Sequence, residues 1–189
     1  MDKKTEDKSS RKRIDPPFKV EEGKKPYIFI SYKHEDDQTV YPLIKEFHDR
    51  GLNIWYDQGL PKGLNYDIQI ANHILNSSLF VTFITKEVIR CANDQKDYLI
   101  RELKVAEYAD KNYLPIYLDD IRLEGFYLMH YLGIQSIYMR DYCDEESFIN
   151  ACMETFENDF GIKAGAVEKP ESTPIQLNGT ELGIQTGET

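Results

Sequence analysis

The chain of 189 residues is 41% hydrophobic and carries 33 acidic against 23 basic side chains, a formal net charge of −10. That length and core content suit one domain with tails and exclude two large domains. The charge is uneven, with 12 basic and 23 acidic groups over residues 26–160 but 9 and 6 over residues 1–25, and an acidic body excludes general affinity for phosphate backbones, so no nucleic-acid partner is expected.

No apolar run approaches the roughly 20 residues that span a bilayer, so no membrane partner is expected either. Cys91, Cys143 and Cys152 are odd in number and lack CxxC spacing, which reads as reduced thiols in a cytoplasmic protein. Residues 1–25, with "KKTEDKSSRKR" and Pro16-Pro17, read as a flexible charged leader. The folded domain is expected over 26–160. Its first element is "YIFISY" (27–32), a β-branched and aromatic run typical of a strand buried on both faces. "EDDQTVYPLIKEFHDRG" (35–51) places Val40, Leu43, Ile44 and Phe47 at helical spacing, with acids in the first turn and Gly51 as a stop. "LNIWYD" (52–57) is the second strand, followed by the Gly/Pro loop "QGLPKGLN" (58–65).

"YDIQIANHILNSS" (66–78) puts Ile70, Ile74 and Leu75 on one helix face, and "LFVTFIT" (79–85) is a third buried strand. A polar connection ending in "CANDQK" leads to a helix within "DQKDYLIRELKVAEY" (94–108), whose packing face is read as Leu99, Leu103, Ala106 and Tyr108. "YLPIYLD" (113–119) is the fourth strand, residues 120–133 show no clear period, "QSIYM" (135–139) is a short fifth strand, and "DEESFINACMETFENDF" (144–160) is a capped final helix. Residues 161–189, rich in Gly, Thr, Pro and Glu, read as a flexible tail. Alternating strands and helices imply right-handed crossovers and a parallel sheet covered on both faces. The expected fold is an α/β, five-stranded, flavodoxin-like doubly wound domain.

In such sheets ligands bind outside the carboxyl ends of the strands, which directs attention to Ser31, Tyr32 and Lys33, to Asp57, to Thr85, and to Asp119 and Asp120. No phosphate-cradling GxxxxGK[ST] or GxGxxG is present, and His34, His48, His73 and His130 share no metal-ligand spacing, so no metal site is expected. "HEDD" (34–37) resembles the acid pocket of a phosphorelay receiver, but Thr85 stands where a receiver needs aspartate; the acids read instead as favourable charges at a helix N-terminus. Ser31 lacks a Gly-x-Ser-x-Gly elbow and reads as a local hydrogen-bonding residue. Tyr98 and Glu102, at i and i+4, share one face of their helix. Periodicity alone makes Glu102 a surface charge offset from the packing stripe.

Three stretches in order, "YIFISYKHED", "GLNIWYDQGLPKG" and "SSLFVTFIT", resemble the first box, the second strand with its BB loop, and the third strand of the Toll/interleukin-1 receptor (TIR) domain family, over about residues 26–160. In the NAD-cleaving branch of that family the catalytic glutamate lies on the helix after the third strand, usually as Trp-x-x-x-Glu. The resemblance implies that Glu102 is catalytic, with Tyr98 in the tryptophan position, and that Tyr32, Lys33, Asp57 and Tyr66 bind substrate. It implies NAD as substrate rather than cofactor, with no further cofactor, and cleavage of the nicotinamide–ribose bond to ADP-ribose or a cyclic isomer. The resemblance also implies self-association through the BB loop, residues 58–65, and a downstream effector that senses the nucleotide product in bacterial anti-phage defence. The alternatives are a non-catalytic TIR scaffold and a nucleoside deoxyribosyltransferase of similar architecture, against which the TIR boxes argue.

Overall fold

The computed structural model describes residues 14–21, 26–58, 64–94 and 96–165. Five strands, β1 (Ile28–Ser31), β2 (Ile54–Tyr56), β3 (Leu79–Ile84), β4 (Tyr113–Tyr117) and β5 (Ile137–Tyr138), form one parallel sheet in the order β2-β1-β3-β4-β5. This is the flavodoxin-like order expected, and the winding reverses between β1 and β3. The helices are α1 (Asp37–Asp49), α2 (Leu64–Asn76), α3 (Lys86–Arg90), α4 (Tyr98–Tyr108), α5 (Gly125–Tyr131) and α6 (Glu145–Asn158). None of them is long and apolar enough to cross a membrane.

Strand pleating assigns each side chain to a layer. Ile28 and Ile30 of β1 and Ile54 and Tyr56 of β2 face α1 and α6, where Val40, Ile44, Phe47, Phe148 and Phe156 complete one core. Phe29, Trp55, Phe80 and Ile84 face the opposite layer, built from Ile70 and Ile74 of α2, Leu99, Ile100 and Leu103 of α4, and Tyr127 and Tyr131 of α5. The same alternation puts Ser31, the last residue of β1 and two after Phe29, on the α2/α4 side, and carries past the end of β2 to Asp57, two after Trp55. Tyr32, two residues after Ile30, joins the α1 core. Gly51, at φ +94°, ends the α1 unit in a conformation that glycine adopts without strain.

Three local readings are corrected. The polar connection after β3 begins with a short helix, α3, because the Thr85 hydroxyl accepts from the Val88 amide at 3.2 Å and Val88 is buried. The span 120–133 contains α5, whose period is blurred because Leu128 and Met129 are exposed while Tyr127 and Tyr131 are buried. Tyr108 is 90% exposed and not part of the α4 packing face. At about 100° per residue it lies about 180° from Leu99, while Ile100 takes a place in the core.

Chain outside 26–160 also packs on this body. Phe18 stacks on His48 at 3.9 Å between ring centroids and its carbonyl accepts from the Tyr56 hydroxyl at 2.9 Å, while Ile162 is buried beside Phe156. Residues 1–13 and 22–25 of the expected leader, 59–63 of the BB loop and 166–189 of the expected tail lie outside the described residues.

Candidate active site

Glu102 is buried, at 8% exposure. On α4 it lies about 60° from Leu99, at the edge of the buried arc, and that edge faces the carboxyl end of β1. There the Ser31 hydroxyl, itself 1% exposed, donates to Glu102 Oε2 at 2.6 Å across 71 positions of sequence. Ser31 is thus a long-range partner of Glu102 and not a local hydrogen-bonding residue, and the surface reading of Glu102 from periodicity is likewise overturned. Burial drives the Glu102 carboxyl up to about 8; the Ser31 hydrogen bond and Lys33 oppose that rise, and the Asp57 and Asp97 carboxylates add to it.

α4 is fastened to β1 at its first turn. Asp97 caps the helix, its Oδ1 accepting from the Leu99 amide at 3.0 Å, and its Oδ2 is ion-paired with the Lys33 ammonium. Burial alone would lower the Lys33 ammonium, but the Asp97 carboxylate outweighs it and holds the group above its ordinary value. Lys33 therefore spends its charge inside the protein.

Asp57 organises the other wall. Its Oδ2 accepts from the Tyr66 hydroxyl at 2.8 Å and lies 3.0 Å from His34 Nε2, while its backbone carbonyl accepts from the Tyr32 hydroxyl at 3.0 Å. The Tyr66 ring meets the Tyr98 ring edge to face at 5.5 Å, and the Arg101 guanidinium lies 5.4 Å from the centre of the Tyr98 ring. Burial and the Asp57 carboxylate keep the Tyr66 phenol protonated, well above its ordinary range.

These groups enclose a cavity of about 180 Å3 lined by all six residues that the resemblance assigns to the site, Tyr32, Lys33, Asp57, Tyr66, Tyr98 and Glu102, but not by the other strand-end positions Thr85, Asp119 and Asp120. Tyr32 contributes to the lining with its hydroxyl already engaged by Asp57 and by Tyr41, 3.0 Å away. Ser31, His34 and Glu35 line it as well. A second hollow of about 290 Å3 between α2 and α4 shares Tyr66, Tyr98 and Glu102 with the first, and Asp67, Ile70, Ala71, Ile74, Arg101, Lys104 and Val105 form the rest of its wall. The cavity lining combines the carboxylates of Glu35, Asp57 and Glu102 with the rings of Tyr32, Tyr66 and Tyr98. Such a site accepts a flat cationic ring: the tyrosine faces supply contact area, and a buried carboxylate supplies the counter-charge.

Ser31, His34 and Asp97 were missed as site residues. Strand parity was the available signal for Ser31, and Asp97 followed by an apolar helical run was an N-cap signal. His34 needed the strand-end rule to be carried one residue beyond Lys33. Among the described residues no three His, Cys, Asp or Glu side chains cluster to hold a metal ion.

The TIR domain family model matches residues 28–152. Among solved structures the chain is similar to the TIR domain of the Toll-related receptor TRR-2 from Hydra magnipapillata, at 14% identity and TM-score 0.53 over 69% of this chain and 98% of that one. It is also similar to the TIR domains of the activated Roq1 resistosome recognising the pathogen effector XopQ, at 15% identity and TM-score 0.52 with the same coverage of 69% and 98%. The third is the RPS4 and RRS1 TIR domain heterodimer, at 12% identity and TM-score 0.51 over 72% of this chain and 99% of that one. No curated protein sequence matches.

Proposed function

The chain belongs to the TIR domain family, and on that premise we propose that it cleaves the nicotinamide–ribose bond of NAD, with Glu102 as the catalytic carboxylate. The observation that carries this reading is the buried Glu102, hydrogen-bonded to Ser31 inside an acidic cavity walled by Tyr66 and Tyr98. Nicotinamide leaves as a neutral ring with the electron pair of the broken bond, and the ribose becomes an oxocarbenium-like cation that a nearby carboxylate stabilises. NAD is the substrate, and the chemistry asks for no further cofactor.

The cavity is smaller than the usual range for a whole ligand of this size. It takes the nicotinamide riboside end, whose pyridinium is the counter-charge that Glu102 lacks while Lys33 is paired with Asp97. Arg101, which is paired with Asp67 at 2.6 Å, and Lys104 are the basic side chains on the wall of the adjoining hollow, toward which the phosphates would extend. Free thiols at Cys91, Cys143 and Cys152 fit a reducing cytoplasmic setting. A role as producer of a nucleotide signal for an effector in anti-phage defence goes with the cyclising form of this activity.

Self-association through the 58–65 loop accompanies the proposal. A second reading, a TIR scaffold acting through homotypic contacts, is favoured by the similar structures that are themselves assemblies, the Roq1 resistosome and the RPS4–RRS1 heterodimer. Purified protein incubated with NAD, dilute and under crowding, with products resolved by chromatography and mass, separates the two. Nicotinamide release that disappears in Glu102→Gln supports the enzyme; no release by the wild type under assembling conditions leaves the scaffold.

A further inference from the structure

Among the described residues His34 is the one imidazole lining the cavity, and the bond-breaking step does not call on it. It opens the 3-10 turn His34–Asp36 directly after β1. Its Nε2 lies 3.0 Å from Asp57 Oδ2, the oxygen that also receives the Tyr66 hydroxyl. An ionised carboxylate only accepts hydrogen bonds, so Nε2 is the donor to Asp57, and whenever the ring holds a single proton its lone pair is at Nδ1. The Tyr32 hydroxyl is 3.5 Å from Nδ1, the long limit of a hydrogen bond, and has a better acceptor in the Asp57 carbonyl at 3.0 Å. The Tyr32 ring meets the imidazole edge to face at 5.3 Å. A carboxylate that sets the tautomer, with the second nitrogen left for a proton, is how a histidine base is built.

Resting on the glycosidic-cleavage reading, we infer that His34 is the base that activates the acceptor after nicotinamide departs. The water oxygen forms the new bond to the ribose anomeric carbon, and the water proton passes to Nδ1. The resulting imidazolium is held by the Asp57 carboxylate, and the proton then leaves to solvent with ADP-ribose. Glu102 Oε2 is already engaged by the Ser31 hydroxyl, whereas Nδ1 of His34 has only the 3.5 Å contact with Tyr32. Acceptors divide accordingly: water and hydroxyl groups have a proton to lose and need His34, whereas a ring nitrogen with a free lone pair attacks without it. His34 thereby biases which product forms.

The test supplies both kinds of acceptor to the full chain under assembling conditions. NAD is offered with and without 3-acetylpyridine, whose nitrogen has no proton to lose, and ADP-ribose and the exchanged dinucleotide are quantified. In His34→Gln, ADP-ribose formation is expected to fall about 100-fold, the usual scale for a general base, while exchange stays within about threefold of wild type. In His34→Ala, added imidazole is expected to restore ADP-ribose formation. Equal loss of both products in variants that keep the wild-type circular dichroism spectrum overturns the inference, as does unchanged hydrolysis in either variant. If the wild type forms neither product, the cleavage reading itself has failed and this one falls with it.

Discussion

Replacing Glu102 by glutamine should stabilise the protein at neutral and alkaline pH while abolishing cleavage. The carboxyl is carried from its ordinary 4.5 to about 8 by burial. At about 1.36 kcal/mol for each tenfold change in acidity, ionising it costs about 5 kcal/mol more in the folded protein than in the unfolded chain. Because the folded value is the raised one, its stabilising contribution is whole below about pH 4.5 and drains away as pH climbs to 8. Glutamine keeps an acceptor for the Ser31 hydroxyl and has nothing to ionise. The variant should match wild type within about 1 kcal/mol at pH 4.5, exceed it by about 3 kcal/mol at pH 7 and by about 5 kcal/mol at pH 9. The assay is urea denaturation of both proteins across this range, read as a difference so that other titrating groups cancel. Parallel pH curves for the two would refute the reasoning, since they would mean that Glu102 ionises as easily folded as unfolded.

Ser31→Ala removes a hydrogen bond that favours the ionised carboxylate, so the acidic limb of the pH–rate profile for nicotinamide release should move to higher pH, and Ser31→Thr should move it back. Asp97→Asn keeps a capping side chain but leaves the Lys33 ammonium partly buried without its carboxylate, at a cost of about 2–3 kcal/mol; combining it with Lys33→Met should recover most of that loss in a urea double-mutant cycle. The Tyr127 hydroxyl is buried without a hydrogen-bond partner among the described residues, so Tyr127→Phe should be neutral or stabilising by about 1 kcal/mol in thermal melts.

The sheet was legible because β1, β2 and β3 are compact runs buried on both faces, so their apolar content stands out whichever register they take. α1 and α6 were legible for the opposite reason, each having one buried and one polar face. α3 and α5 hid because five residues hold too little periodicity in the first, and exposed Leu128 and Met129 mimic a core face in the second. Within the site, resemblance named Glu102, but only the pleat explains why it is buried: the parity that turns Phe29 toward α4 turns Ser31 the same way, and a polar strand end there needs a polar partner. Lys33 looked like a free cation until the fold brought up Asp97 from 64 positions away, a pairing no local pattern encodes.

The docking of Phe18 bears on where a working fragment begins. Gln58, the first residue of the BB loop, donates its amide to the Phe18 carbonyl and sits 2.9 Å from the Tyr56 hydroxyl that binds the same carbonyl. A fragment trimmed to Tyr27 would keep every strand and the whole catalytic constellation, yet it would unroof His48 and free Gln58 at the root of the loop. Two preparations differing only in residues 1–26 would then share one site and, on the proposed assembly through this loop, differ in how readily they associate.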